Sequence, residues 1–259
     1  EESRHFQIAE SSTFEPDADK RFDLSYADGS ELKGFNGNDV VHVGDFHGMA
    51  PFGLIYDCNS PDFNGVDGIL GFGLPKQGIE GERLPTPLLW VLTDKHDTYS
   101  NTQDLARKFA FFSTDDAAEV QLGGYDPKAA SSEMYYTPSL SATDFIVGVT
   151  SVKFGMSRDD SQELLQFSSP TGGEYLPAIV DSGTSCLVIP GDSLDGRLSN
   201  KPFDDFTSLW ARDKSFFIEI GGKEFEVPFS SWYLSRTNQT CVQPSPAGMQ
   251  GLLIGDVFF

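Results

Sequence analysis

Two hairpins built around glycine turns constrain the fold of this chain more than any other sequence feature. The stretch RFDLSYADGSELKGF alternates apolar and polar residues on both sides of 27–30, and FFIEIGGKEFEVPF does so around Gly221-Gly222. Such alternation places one face of each strand against a core, and a short glycine-containing turn joins antiparallel strands. DVVHVG continues the pattern, and FIVGVTSVKFG predicts a long strand that is broken at Gly148. The sequence therefore predicts an all-β protein.

Helix signals are few and short. PTPLLWVLTDK, from Pro85 to Lys95, is the best candidate because proline is common at the start of a helix. Residues 192–213 predict one or two further short helices. The polar, proline- and serine-containing stretch from Gly123 to Asp144 is typical of a linker. We therefore expect two mostly β halves, 1–126 and 127–259.

Composition excludes several kinds of partner. The formal net charge of −21 opposes binding to the phosphates of nucleic acids. The chain contains no apolar run of the roughly 18 residues that a membrane helix needs. Its three cysteines and four histidines form no spacing typical of a metal site, so we expect neither a metal nor a cofactor.

One carboxylate interrupts an apolar stretch. In AIVDSGTSCLVIP, Asp181 lies between two runs of core-like residues. A buried carboxylate is costly unless it is hydrogen-bonded, paired or protonated. Gly183 permits a tight turn, and Ser182 and Thr184 supply hydroxyls that can orient the acid. The pattern favours an active-site acid, and the alternative is an ordinary turn whose aspartate binds its own backbone.

Other candidate chemistries are weaker. The order SGTSC together with His47 suggests a serine hydrolase, but Ser185 is followed by the strand-like CLVIP, and no G-x-S-x-G motif occurs. Asp67 and Asp256, each beside a glycine, are interpreted as structural.

Each half also carries an apolar-apolar-glycine element. These are Ile69-Leu70-Gly71 and Leu253-Ile254-Gly255. If the first half repeated the spacing between Asp181 and Gly255, its own acid would lie just upstream of Glu1. The repeat therefore predicts a partner acid outside this chain.

Several motifs occur in an order that resembles one family. AIVDSGTS resembles the second catalytic motif of pepsin-like aspartic peptidases, and LSYADGS resembles their flap, with Tyr26 as the flap tyrosine. VDGILGFG and LLIGDVFF resemble the segments that cross behind the two catalytic loops. SSTFEP and QLGGYDP also follow the family order, so the resemblance covers nearly the whole chain.

The resemblance implies a fold and an activity. The fold would be bilobal, with two β-barrel-like lobes, a central cleft and one aspartate from each lobe. The activity would be that of an aspartic-type endopeptidase, in which the two aspartates activate a water against a peptide carbonyl. The implied protein is a monomer without a cofactor, acting on protein or peptide substrates in the secretory pathway, outside the cell or in a vacuole or lysosome.

The resemblance also assigns roles to residues of this chain. Asp181 would be catalytic, Ser182 would join a hydroxyl interlock between the lobes, and Thr184 would hydrogen-bond the carboxylate beside Gly183. The residues that would cover or line the substrate site are Tyr26, Asp28, Gly29, Ile69 and Ile179. Asn238 begins the sequon Asn-Gln-Thr and would carry a glycan if the chain is secreted.

Two departures from the family pattern matter. No Asp-Thr-Gly or Asp-Ser-Gly precedes the flap, where Asp28-Gly29 is the only acid-glycine pair. If the protein has no first aspartate elsewhere, the alternative is a catalytically inactive pepsin-like binding or inhibitor protein. Cys241 resembles half of a second-lobe disulfide, but the stretch before it supplies no evident partner, and the pairing of Cys58 is also left open.

Overall fold

The structure is a computed structural model that describes residues 5–26, 29–78, 84–95, 104–114, 117–165, 175–190, 211–245, 249 and 251–259. Most of its regular structure is β-strand with a few short helices, which confirms the predicted all-β class. The helices predicted within 192–213 fall almost entirely on residues outside this set. Contacts between Cα atoms divide the chain into two compact units, Glu1–Ala110 with Val120–Asp126, and Phe111–Glu119 with Pro127–Phe259.

The first unit is built on a three-stranded antiparallel sheet. Its strands, in spatial order, are β1 (Glu15–Ser25), β2 (Glu31–Val43) and β3 (Phe46–Cys58). Ser25 pairs with Glu31 beside the predicted turn, so the first predicted hairpin is confirmed. A second turn at Gly44-Asp45 joins β2 to β3, because Gly44 adopts a positive φ of 59° that favours glycine.

A short α-helix packs in the described part of the first unit. Helix α1 (Leu88–Leu92) follows Pro87 and buries Leu89, Val91 and Leu92. It confirms the helix predicted between Pro85 and Lys95 but is shorter than the sequence pattern indicates. The Thr93 hydroxyl donates to the Leu89 carbonyl and ends the helix. A hairpin of β4 (Phe109–Ser113) and β5 (Ala118–Leu122) contains residues of both units.

The second unit is built on an eight-stranded mixed sheet. Seven strands follow the spatial order β11-β10-β6-β8-β15-β9-β14, and β7 pairs with β6 beside this path. The strands are β6 (Ile146–Gly155), β7 (Ser161–Leu165), β8 (Leu176–Val180), β9 (Leu187–Ile189), β10 (Ser215–Ile220), β11 (Lys223–Val227), β14 (Val242–Pro244) and β15 (Leu252–Ile254). Helix α2 (Phe229–Trp232) leads into a small hairpin of β12 (Tyr233–Leu234) and β13 (Gln239–Thr240).

The core of the second unit lies against this sheet. Trp232 and Phe216 are completely buried, and their rings meet edge to face with centroids 5.6 Å apart. Strands β8, β9 and β15 bury Ala178, Leu187 and Ile254 completely. Each large apolar side chain buried in this way stabilises the fold by about 1.5–3 kcal/mol, so the strands that flank the loop of Asp181 are firmly packed.

Of two predictions for the strands of the second unit, the turn at Gly221-Gly222 is confirmed and the break at Gly148 is not. The β10–β11 hairpin turns at Gly221-Gly222 as predicted, and these glycines adopt φ values of 58° and 83°. The expected break at Gly148 is wrong, because β6 runs through this residue. A Cβ atom at position 148 would lie 3.2 Å from the Tyr175 ring, so glycine gives that ring room to cover the strand.

The two apolar-apolar-glycine elements do not form the same structure. In the second unit the element forms β15, and Ile254 is completely buried. In the first unit Ile69 and Leu70 are more than half exposed, and no strand includes the described residues 66–78. β15 is a strand because β8 and β9 flank it, and no described strand pairs with 66–78. The repeat is therefore a sequence similarity without a shared secondary structure in this part of the chain.

No helix in the described ranges is long and apolar enough to cross a membrane.

Candidate active site

The loop that carries Asp181 bridges two strands that do not pair with each other. Residues 181–186 run from β8 to β9, and β15 lies between these strands, parallel to β8 and antiparallel to β9. The loop must therefore cross the end of β15. It is attached there by backbone hydrogen bonds, since the Asp181 amide donates to the Ile254 carbonyl at 2.9 Å and the Asp256 amide donates to the Thr184 carbonyl at 2.7 Å.

Gly255 makes this crossing possible. A Cβ atom at this position would lie 2.4 Å from the Thr184 carbonyl oxygen and 2.3 Å from the Cys186 carbonyl oxygen. Contacts that short do not occur, so any side chain would push the loop away from β15. The apolar-apolar-glycine element of the second unit therefore supports the acid loop.

Both oxygens of Asp181 have a donor within the loop. The Gly183 amide donates to Oδ1 at 2.9 Å, and the Thr184 hydroxyl donates to Oδ2 at 2.8 Å. The Thr184 amide also donates to the Asp181 carbonyl at 3.1 Å, which closes a tight turn. These bonds fix the plane of the carboxylate at a half-buried position. The predicted roles of Gly183 and Thr184 as neighbours of the acid therefore have matching contacts.

Two further predicted residues lie beside the acid. Ser182 is exposed in the turn between Asp181 and Gly183. Ile179 lies at the end of β8, pairs with Ile146 of β6, and keeps 37% of its surface exposed. An isoleucine on a central strand with that exposure offers an apolar surface close to the carboxylate. The second unit thus brings together Asp181, Ser182, Gly183, Thr184 and Ile179.

A disulfide holds the far end of the loop. Cys186 and Cys241 are bonded, and the bridge joins the start of β9 to the start of the parallel strand β14. The Leu187 amide also donates to the Cys241 carbonyl at 3.1 Å. The sequence does not indicate this partner for Cys241, although Cys186 directly follows the acid motif. Cys58 is exposed and not bonded to another cysteine.

The predicted flap residues lie in the first unit. Tyr26 and Gly29 belong to the turn between β1 and β2, where the Tyr26 amide donates to the Ser30 carbonyl and Gly29 has a φ of 88°. The Tyr26 ring packs against the Phe63 ring with centroids 5.8 Å apart. Asp28 lies outside the described residues, so its predicted role stays a prediction. Ile69 is 58% exposed in a segment without regular structure.

The residues considered for a serine hydrolase, His47 and Ser185, lie in places that do not suggest catalysis. The His47 ring stacks on the His42 ring with centroids 4.8 Å apart at the end of the β2–β3 hairpin. The Ser185 carbonyl accepts from the Val257 amide, which places Ser185 in the support of the acid loop. Among the residues whose positions are described, no group of three His, Cys, Asp or Glu side chains is arranged to hold a metal ion.

The predicted glycosylation residue is on the surface. Asn238 lies in the exposed turn between β12 and β13, with a φ of 53°. Its Oδ1 accepts from the Tyr233 hydroxyl at 2.8 Å.

Comparison with known proteins identifies the family of the chain. The family model for eukaryotic aspartyl proteases matches residues 1–259. The chain belongs to the eukaryotic aspartyl protease family. This membership confirms the family that the sequence resemblance to pepsin-like aspartic peptidases predicts.

Curated relatives of this aspartyl protease chain are similar over almost all of it. It is 26% identical to pregnancy-associated glycoprotein 4 of Ovis aries over 98% of the chain and 65% of that protein. It is 27% identical to pepsin A of Gallus gallus, again over 98% of the chain and 68% of that protein. Rhizopuspepsin-4 of Rhizopus niveus is 25% identical, over 98% of the chain and 62% of that protein. The chain thus spans about two thirds of the length of the relatives it matches.

Proposed function

We propose that the protein is an aspartic-type endopeptidase in which Asp181 is one of two catalytic aspartates. The observation that carries this proposal is the Asp181 loop, whose carboxylate is oriented by the Gly183 amide and the Thr184 hydroxyl directly after strand β8. Membership of the aspartyl protease family supports it. Substrates would be proteins or peptides, and the protein would act as a monomer without a cofactor.

The chemistry requires a second carboxylate. A water that attacks a peptide carbonyl must lose a proton, and the leaving amine must gain one, so one group acts as base while another acts as acid. Two close carboxylates do not easily ionise together, and aspartic proteases are the standard example of such a shared proton. Asp181 begins the only Asp-Ser/Thr-Gly motif in the 259 residues. The second aspartate would therefore come from a part of the protein outside this sequence.

The hydrogen bonds of the loop suit this role. Because both oxygens of Asp181 are already held by donors, the carboxylate does not need to reorient when a water approaches its exposed side. Such preorganised groups are what makes proton transfer efficient in an active site. Ile179 would provide apolar contact to the substrate, and Ser182 would join the interlock between two lobes that the family resemblance implies.

The flap residues would cover the substrate. Tyr26 and Gly29 lie at the tip of a hairpin, where a side chain and a backbone amide can close over an extended peptide, and Ile69 would contribute an exposed apolar surface. In this part of the proposal the two lobes are 1–126 and 127–259, which match the two compact units except that Phe111–Glu119 belongs to the second unit.

We place the protein in the secretory pathway, either outside the cell or in a vacuole or lysosome. The Cys186–Cys241 disulfide supports this placement because disulfides persist in oxidising compartments. Asn238, in its exposed turn, would carry the glycan of a secreted protein.

Substitution of Asp181 tests the proposal. The full-length natural protein and its Asp181→Asn variant are assayed against a denatured protein between neutral and acid pH. The variant keeps the size of the side chain but cannot exchange a proton, so we expect cleavage to fall by at least about 100-fold. Asp159→Asn is the matched control, because it removes the same charge from an exposed bend. Equal cleavage by wild type and Asp181→Asn would show that Asp181 is not catalytic. A full-length wild type that cleaves nothing would favour a non-catalytic binding protein.

A further inference from the structure

Asn59 extends the β2–β3 ladder toward the turn that carries Tyr26 and Gly29. The paired part of the ladder ends at Leu32 and Cys58. The Asn59 amide then donates to the Glu31 carbonyl at 3.2 Å, which adds one more backbone bond. Pro61 has no amide hydrogen and begins a 3₁₀ turn, so the strand cannot continue beyond this point.

Beyond the last backbone bond of the ladder, the side chain of Asn59 makes the next hydrogen bonds to the turn. The Glu31 amide donates to Asn59 Oδ1 at 2.7 Å, and Asn59 Nδ2 donates to the Gly29 carbonyl at 3.2 Å. A side-chain amide carries the same donor and acceptor as a peptide group, so it can replace a missing strand residue. Its orientation is determined by its partners, because a backbone amide can only donate and a backbone carbonyl can only accept.

Both side-chain bonds hold the turn between β1 and β2. Gly29 lies inside that turn, and Glu31 is the first residue of β2 after it. Phe63, four residues after Asn59, adds the ring contact with Tyr26. The short segment 59–63, named here the bracket, therefore holds the hairpin tip through its backbone at Gly29 and Glu31 and through its side chain at Tyr26.

We infer that Asn59 is a positioning residue for the flap, which keeps the tip in the conformation that covers a bound peptide. This inference rests on the proposed function, because it gives the bracket a purpose only if Tyr26 and Gly29 close over a substrate. Asn59 does not itself need to touch the substrate. Without its side chain, the Glu31 amide and the Gly29 carbonyl would bond to water, while the bond from the Asn59 backbone amide to the Glu31 carbonyl and the contact between Phe63 and Tyr26 would remain.

Two variants of the full-length protein separate the two bonds. Asn59→Ala removes both, and we expect the Glu31 amide to exchange its hydrogen about tenfold faster and kcat/KM to fall about tenfold. Asn59→Asp keeps an acceptor for the Glu31 amide but has no donor for the Gly29 carbonyl while it is ionised. Below about pH 3.9 the protonated acid can donate again, so we expect this variant to approach wild type on acidification while Asn59→Ala does not.

The control and the outcomes keep this inference separate from the proposed function. Asn64→Ala changes an exposed asparagine near the end of the bracket and should leave exchange at Glu31 and kcat/KM unchanged. Unchanged exchange at Glu31 in Asn59→Ala would show that Asn59 does not hold the turn. Faster exchange with unchanged kcat/KM would show that the held turn does not serve catalysis. If wild type cleaves no peptide, the proposed function fails and the flap role fails with it, while exchange still decides whether Asn59 holds the turn.

Discussion

At the scale of single residues, Asp39 in β2 is a buried carboxylate that belongs to no predicted site. Only 5% of its surface is exposed, and its oxygens accept hydrogen bonds from the Ser11 hydroxyl at 2.7 Å, the Thr13 hydroxyl and the Val40 amide at 2.7 Å. Burial alone raises the pKa of the Asp39 carboxyl, but these three donors together outweigh burial and hold the pKa below its usual value. The charge of Asp39 therefore ties the segment 11–13 to the sheet.

Because the folded pKa of Asp39 lies below the unfolded value, its charge contributes stability that depends on pH. That contribution is fully present above the unfolded pKa, near 3.9, and is lost as the pH falls through the lower folded pKa. We expect Asp39→Asn to lower the free energy of unfolding by about 2 kcal/mol at pH 6, since hydrogen bonds to a charged group are lost. Urea unfolding at several pH values should show this difference shrinking below about pH 4.

Asp159→Asn is the control for this titration, because that carboxylate is exposed and its replacement should change stability by less than about 0.5 kcal/mol. A difference between wild type and Asp39→Asn that stays constant from pH 6 to pH 3 would contradict the role of the charge. It would mean that the substitution acts through packing alone.

Residue patterns predicted the acid and the residues that hydrogen-bond it, but not the disulfide that holds the loop. Asp181, Gly183 and Thr184 were predictable because a carboxylate in an apolar stretch needs donors, and the nearest hydroxyl and glycine lie in the same turn. The partner of Cys241 was not predictable, because Cys186 lies 55 residues away in sequence. Only the parallel pairing of β9 and β14 brings the two cysteines together.

At the scale of elements, the sequence predicts those strand pairings that depend only on residues close together in the chain. Both predicted hairpins form because a glycine turn and two alternating runs contain all the required information. The pairings of β8 with β15 and of β9 with β14 are parallel and join distant parts of the chain, so no local pattern indicates them. The prediction at Gly148 failed for the same reason, because it considered neighbouring residues alone. In the folded protein the strand continues through Gly148, and the missing side chain leaves room for the Tyr175 ring.

The disulfide between β9 and β14 should stabilise the strands that hold the acid loop. It closes a loop of 55 residues, for which the entropy lost by the unfolded chain corresponds to about 4 kcal/mol. We expect the double variant Cys186→Ala with Cys241→Ala to unfold about 8–16 °C lower in a thermal scan. Cys58→Ala, which changes an exposed and unbridged thiol, should leave the midpoint nearly unchanged. An equal effect of the two substitutions would show that the bridge does not stabilise this part of the sheet.

At the scale of the whole molecule, the net charge is the property that the sequence reports most directly. The chain has 39 acidic and 18 basic residues, and the sequence isoelectric point is about 4.3. Mutual repulsion of excess like charges destabilises a compact state, and the repulsion weakens as carboxylates become protonated. Composition cannot show how the two compact units are arranged, so the bilobal assignment with its central cleft stays a prediction.

Salt should separate this repulsion from the local effect at Asp39. Raising the ionic strength from about 0.01 M to about 0.1 M shortens the screening length from about 30 Å to about 10 Å, which is enough to weaken repulsion across the surface. We therefore expect the thermal midpoint to rise by a few degrees with salt at pH 7 and to stay nearly constant near pH 4.3, where the net charge is close to zero. Because acidification relieves repulsion above that pH and removes the Asp39 contribution below it, stability should be greatest in mildly acid solution. A midpoint that responds to salt equally at both pH values would show that surface charge does not limit the stability of this protein.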